Sequence, residues 1–388
     1  MPIINRIAEF HGDMKEWRQH LHAHPELQFD CHQTAAFVAA RLREFGVDEI
    51  HEGIAQTGIV AIVNGQGDGP TIGLRADMDA LPIQELPDRP YKSGIDGKMH
   101  ACGHDGHTTM LLGAARYLAE TRNFSGRVAL IFQPAEEGGA GGKVMCDEGM
   151  MDKFAIAQVY GVHNAPGFPV GMFLGNSGPV LAAADTFRID ITGQGGHAAE
   201  PENTIDPVQV AMQIVQAIQT ISSRNVPALD NLVISVTQVH AGTVDNIIPQ
   251  TAFVGGTVRT LKKEIQAVVV ARLKAICAGA EASFGATVAL DFEYGYPPTV
   301  NHPAETGFAF AVAEGISGGD KVLDDCPPIM ASEDFAYMLE ARPGAYLMIG
   351  QGEGPTVHHP EYDFNDEISP IGASYFVKLV ETAQPLES

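Results

Sequence analysis

Residues 126–142 read GRVALIFQPAEEGGAGG. Val128–Phe132 is apolar at every position, with no polar residue to mark a solvent face. Such a run suits a strand buried on both sides, as in a parallel sheet covered by helices. Gln133 and Pro134 end it, and two adjacent carboxylates, Glu136 and Glu137, follow in a glycine-rich loop. A second run of the same kind, IAQVYGVHN at 156–164, ends on His163. GIVAIVNG (58–65) and TIGLRAD (71–77) read as further apolar strands. Amphipathic patterns predict helices over about 3–22, from Gln33 to Phe45, and over 105–120 with Asp105 as N-cap. This alternation predicts an α/β domain with a central, mostly parallel sheet.

From Ala184 the pattern changes. DTFRIDITG (185–193) alternates polar and apolar, a helix is expected from Asp206 to Ser222, and NLVISVTQVHAG and TAFVGGTVRTL follow as strands with one buried face. A helix over about 262–280 leads to TVALDFEYGYP (287–297). The order strand, helix, strand, strand, helix, strand is the ferredoxin-like split βαβ pattern. After PPTVNH the α/β style resumes, with helices near 303–315, 332–341 and 369–383 around the short strand AYLMIG. The expected organisation is a discontinuous first domain, 1–183 and 297–388, interrupted by an inserted α+β domain at 184–296.

The length of 388 residues suits two cores. A net charge of −24, from 48 acidic and 24 basic residues, opposes binding to phosphate backbones or anionic membranes. No signal-like or membrane-length apolar run is present, so a cytoplasmic protein is expected. The five cysteines show no CxxC spacing, and reduced thiols are expected.

The chemistry-bearing residues gather where open α/β sheets bind ligands, beyond the carboxyl ends of strands. Asp77 follows TIGLR, Glu136 and Glu137 follow VALIFQPA, and His163 closes QVYGVH. HACGHDGHTT (100–109) places Cys102 and His104 two apart, in phase on extended backbone, with His100 sharing that phase. VHHPEYDF adds His358 and His359 in a loop fixed by Pro360. Each feature alone also suits an inert loop: a solvated acidic turn, a buried thiol, an exposed histidine pair. Together, cysteine, histidine and glutamate form a mixed donor set suited to zinc or a similar divalent ion. Five donors exceed a closed tetrahedral site and match two ions sharing a bridge.

At this point the chain resembles the di-metal aminoacylase and carboxypeptidase family, in its branch of hippurate hydrolases, N-acyl-amino-acid amidohydrolases and auxin-conjugate hydrolases. GLRADMDALP, MHACGHDGH, FQPAEEGGAGG, GVHN, GQGGHAAEP, NIIPQ, GTVRT, SEDF and HHPEYDFND occur in the branch's order along essentially the whole chain. The resemblance implies a di-metal peptidase-type catalytic domain with a lid and dimerisation insert. It implies that Cys102 bridges two divalent ions per subunit, zinc or manganese with cobalt or nickel as further choices, and that His104, Glu137, His163 and His358 complete the ligand set. Glu136 is expected as general base and acid. Arg75-Ala76-Asp77 stands where the wider family carries His-x-Asp, and Cys102 stands for its bridging aspartate; Asp77 is then expected to orient a histidine ligand. His358 is preferred over His359 because it lies two before Pro360. His197 is expected to reach the partner subunit's site and stabilise an oxyanion, with Asn246 and Arg259 near a substrate carboxylate. The implied activity is hydrolysis of N-acyl amino acids by a homodimer or a tetramer of dimers.

A carboxypeptidase or dipeptidase would use the same site. A cysteine-nucleophile hydrolase would pair Cys102 with His104, but leaves Glu136, His163 and His358 without a role. A non-catalytic metal-binding protein leaves Glu136 unexplained.

Overall fold

The computed structural model describes residues 3–386. The chain divides into two compact units. One runs to Val180 and resumes at Val300–Pro327 and from Asp334; the other comprises Leu181–Thr299 and Pro328–Glu333.

Among the described residues of the first unit, an eight-stranded sheet runs in the order Glu49–Ile54, Gly58–Asn64, Arg127–Gln133, Thr71–Asp77, Ile156–Ala165, Gly344–Gly350, Phe173–Leu174 and Val322–Leu323. Its four central strands, from Arg127–Gln133 to Gly344–Gly350, are mutually parallel. Thr71–Asp77 is buried at every position, and Arg127–Gln133 at every position after Arg127. Absence of a polar phase is therefore what the two covered faces require. The helix His104–Thr121 packs against His11–Ala23, His32–Phe45 and Ser369–Ala383. Gly141–Asp147 and Phe335–Ala341 pack on each other. The packing of Ser369–Ala383 on His104–Thr121 needs glycine at position 372, where a Cβ would lie 2.1 Å from Met110 Sδ.

Two local expectations need correction. The helix read over 3–22 is two helices, Asn5–Glu9 and His11–Ala23, divided at Phe10. The Phe10 ring is buried and lies under both the Arg6 and Arg116 guanidinium groups, 4.7 and 4.0 Å from its centroid, so tertiary packing overrides the helical pattern there. The cap of the helix starting at His104 is Gly103, not Asp105. Gly103 has φ +100°, and a Cβ would lie 2.4 Å from Asn164 Oδ1, so both conformation and space demand glycine.

In the second unit, Leu232–Ala241, Thr251–Thr260, Ala184–Thr192 and Thr287–Tyr296 form an antiparallel sheet in that order. Pro207–Arg224 and Lys263–Phe284 pack together and onto it. The unit is ferredoxin-like. Asp206 caps the first of these helices through Val208 N–H at 2.8 Å, with Pro207 at its first position.

The helix His11–Ala23 carries two buried polar residues, Arg18 and His22, into the first unit. His22 lies 2.8 Å from Asp105 Oδ2 through Nδ1 and 3.3 Å from Glu85 Oε1 through Nε2. Burial opposes a charged ring, and so does nearby Arg18, but the two carboxylates overrule both and raise its pKa from 6.5 to about 9. His100 and Tyr91 also face this ring. The folded value exceeds the unfolded one, so this contribution to stability is complete below about pH 6.5 and disappears as pH rises through about 9. The melting-temperature difference between wild type and His22→Gln is therefore expected to shrink between pH 6.5 and 10. A gap that stays constant across that range contradicts the charged pair.

Candidate metal centre and catalytic carboxylate

Six side chains meet beyond the carboxyl ends of the parallel strands. Cys102, His104 and His163 form one donor group, and Cys102, Glu137 and His358 a second, the donor atoms of each within 4.8 Å of one another. Cys102 belongs to both. His104, Glu136 and Glu137 form a third such group, which brings Glu136 to the same place.

Local structure explains each position. Cys102 and His104 reach one site through the left-handed turn at Gly103, since His104 already begins a helix and the extended phase read from the sequence is absent. Glu136 and Glu137 follow Ala135, itself left-handed at φ +58°. Asp79 accepts from both of their backbone N–H groups, at 2.9 and 3.0 Å, and so fixes the loop. His358 is also left-handed, at φ +65°, and its N–H donates to Ala101 O at 2.7 Å, tying it beside Cys102. Non-glycine residues held in this region cost about 1–3 kcal/mol each and cluster at functional sites. His359 uses its Nδ1 to accept Glu361 N–H at 3.1 Å, which leaves His358 as the member of the pair that joins the donor group.

The imidazoles are oriented as ligands would be. His104 Nδ1 donates to Asp79 O at 2.8 Å and His163 Nδ1 to Asn164 O at 2.8 Å, so each ring turns Nε2 toward the cluster. His163 Nε2 lies 3.4 Å from Cys102 Sγ. His104 Nε2 is buried without a hydrogen bond, the state expected of an atom reserved for a cation, and Glu137 Oε1 faces His358 Nε2 at 3.3 Å. Burial, which opposes the thiolate, pushes Cys102 up to about 12, with Glu137 and Asp77 adding to it and His104 opposing. Burial also opposes charge on His104, yet Asp77, Cys102 and Asp79 raise its pKa well above the imidazole range. Burial likewise holds His163 well below that range, as a neutral base. The site thus calls for positive charge and supplies soft and borderline donors, which fits divalent metal.

Asp77 departs from its expected role. Its Oδ1 lies 2.6 Å from Nδ1 of His107, which is outside the two Cys102-sharing groups, and Oδ2 accepts from Arg75 Nη1 at 2.8 Å. His107 Nε2 in turn faces Asn164 Oδ1 at 2.7 Å. The residue that orients His104 is Asp79, through its backbone carbonyl, while its carboxylate holds the Glu136 loop; the sequence reading passed over it, and its position two residues past Asp77 was the available signal. A further buried network was also unread. Arg75 donates to Gln133 Oε1 at 2.8 Å and to Asp334 Oδ1 at 3.0 Å as well as to Asp77, and Asp334 accepts from Gly142 N–H at 2.7 Å. It braces the loop that carries Glu136 and Glu137.

Within the second unit, Gly196–His197 pairs with Ile247–Ile248, and Ala198 N–H donates to Asn246 O at 3.1 Å, so His197 and Asn246 are neighbours. Ala199 N–H donates to His197 Nδ1 at 3.1 Å, leaving Nε2 as the exposed ring's donor. Arg259 lies on Thr251–Thr260 and donates to Val258 O at 3.0 Å and to Thr257 Oγ1.

A mostly parallel α/β sheet with thiolate, imidazole and carboxylate donors grouped at its strand ends is the architecture of a metallohydrolase. The chain belongs to peptidase family M20/M25/M40, whose model matches residues 73–382. It is similar to hippurate hydrolase of Campylobacter jejuni subsp. jejuni, 39% identical over 379 residues and 98% of each chain. It is similar to N-acetyl-L-cysteine deacetylase of Bacillus subtilis, 41% identical over 95% of this chain and 87% of the relative. Among solved structures it resembles the Bacillus subtilis YXEP protein, described as a dinuclear metal binding peptidase, with a TM-score of 0.86 and 34% identity over 97% and 99% of the two chains.

Proposed function

We propose that this hydrolase cleaves the amide bond of N-acyl amino acids, releasing a carboxylic acid and a free amino acid. The observation that carries the reading is one thiol shared by two donor groups, with a buried second carboxylate, Glu136, beside them. Cys102, His104 and His163 would hold one divalent ion, and Cys102, Glu137 and His358 the other. Bound there, the ions supply Lewis acidity, bringing the pKa of a water toward neutrality and polarising the acyl carbonyl.

The chain's own residues do the rest. Glu136 is anchored through its N–H to Asp79 and accepts from Asp334 N–H at Oε1, 3.4 Å away, which aims its carboxylate. It takes a proton from the attacking water and returns it to the departing amine nitrogen. His197, with Nδ1 engaged by Ala199 N–H, presents an Nε2–H donor for the oxyanion, and the paired donors of Arg259, with Asn246, suit a substrate carboxylate. Cross-subunit delivery of His197 requires a homodimer, formed through the inserted unit acting as lid and dimerisation domain. A fully active monomer in sedimentation equilibrium contradicts that part of the reading.

The metal choice in this reading is zinc or manganese. Dialysis against EDTA is expected to abolish hydrolysis, and added Zn²⁺ or Mn²⁺ to restore it. A panel of N-acetyl and N-benzoyl glycine, alanine, leucine and aspartate, run beside simple dipeptides, separates amidohydrolase from carboxypeptidase or dipeptidase action. Activity that survives EDTA supports a Cys102 nucleophile instead, and bound metal with no turnover on any member supports a binding protein.

A further inference from the structure

The loop that delivers His358 is held by a buried charged clasp. Arg18, 1% exposed, donates through Nε and Nη2 to Asp366 Oδ1 and Oδ2 at 2.7 and 2.8 Å, and through Nη1 to Asp363 Oδ1 at 3.3 Å. Its guanidinium carbon lies 4.4 Å from the centroid of the Tyr91 ring, and the Tyr91 hydroxyl donates to Asp363 Oδ2 at 2.7 Å. Arg89 donates to the carbonyls of Glu361 and Tyr362, at 3.1 and 3.3 Å, and pairs with Asp363 Oδ2 at 3.3 Å. Leu86 N–H closes the other end on Pro360 O at 3.0 Å. These fixed points lie between two and eight residues after His358, whose own backbone is left-handed against local preference and is tied at its N–H to Ala101 O.

We infer that Arg18 is a positioning residue for His358: by pinning Asp363 and Asp366 it sets the loop so that the donor group of Cys102, Glu137 and His358 is assembled before metal arrives. This inference rests on the proposed two-ion site and adds to it an asymmetry. The group of Cys102, His104 and His163 has no donor on the clasped loop, and its imidazoles are held by the carbonyls of Asp79 and Asn164; the loop touches its surroundings through the Tyr362 hydroxyl, which accepts from Asn164 Nδ2 at 2.8 Å, and Arg18 Nη1 lies 3.9 Å from Asp105 Oδ2. Loss of the clasp therefore weakens one ion and spares the other. Partners that orient metal ligands typically contribute about 10- to 100-fold in affinity.

The test is calorimetric titration of the full chain with Zn²⁺. Wild type is expected to bind two ions. Arg18→Met is expected to keep one at wild-type affinity and to bind the other about 10- to 100-fold more weakly. His358→Ala gives the same split, and Arg18→Met adds nothing further in its background. A purely structural role for Arg18 would lower the melting temperature without separating the two ions. Two ions at wild-type affinity in Arg18→Met overturn the inference, whereas fewer than two in wild type overturn the site it rests on. Should Arg18→Met not fold, Arg89→Gln removes three contacts and Tyr91→Phe one from the same loop; an unchanged second ion in both also overturns it.

Discussion

Glu136→Gln is expected to lower kcat by about 100- to 10,000-fold while leaving metal content and KM close to wild type. The amide keeps the shape of the carboxylate and can still accept from Asp334 N–H, so loop and fold should persist. What disappears is the ability to take and return a proton. The two donor groups that share Cys102 do not include Glu136, which is why metal content separates the roles. Metal analysis and kinetics on one preparation decide the case. Turnover within a few-fold of wild type would falsify Glu136 as the base, and turnover lost together with one ion would make it a ligand. The distinction matters because Glu136 and Glu137 are adjacent in sequence and share Asp79 as an anchor; only their side-chain directions divide the work.

That division shows where sequence reasoning succeeds and where it stops. Val128–Phe132 and Val159–Val162 are legible because burial on both faces leaves its mark on every residue, and Ala184–Thr192 because burial of one face alone marks every second position. Donor chemistry is equally legible, since Cys102, His104, Glu137, His163 and His358 are of few types and lie just beyond those strands or in loops. Orientation is not. Asp77 and Asp79 look interchangeable in RADMDALP, yet the first turns to Arg75 and His107 while the second turns to the Glu136 loop. The split at Phe10 and the cap at Gly103 depend on contacts with Arg116 and Asn164, about 100 and 60 positions away, which no local pattern encodes. Arg18 shows the same limit: on the helix His11–Ala23 it reads as one more charged residue, and only its pairing with Asp363 and Asp366 reveals a role.

Arg75→Met is expected to cost the first unit about 3–5 kcal/mol, because it leaves Asp77 and Asp334 buried without their shared cation. Both carboxylates are fully buried, and burial alone would push Asp77 up; His104, His107 and Arg75 instead hold it well below the usual range. Removing the guanidinium takes away one of those three charges, the 2.8 Å donor to Gln133 and the 3.0 Å donor to Asp334, which Gln133 and Gly142 N–H continue to contact. Methionine keeps most of the volume, so the cost is electrostatic and not a cavity. At about 2–4 °C per kcal/mol, the melting transition of this unit should fall by roughly 10 °C. The double variant Arg75→Met, Asp334→Asn is expected to recover part of the loss, since the second buried charge goes with the first. A fall under about 1 kcal/mol in Arg75→Met, or no recovery in the double variant, would mean that solvent reaches these carboxylates and the network is not the brace of the Glu136 loop.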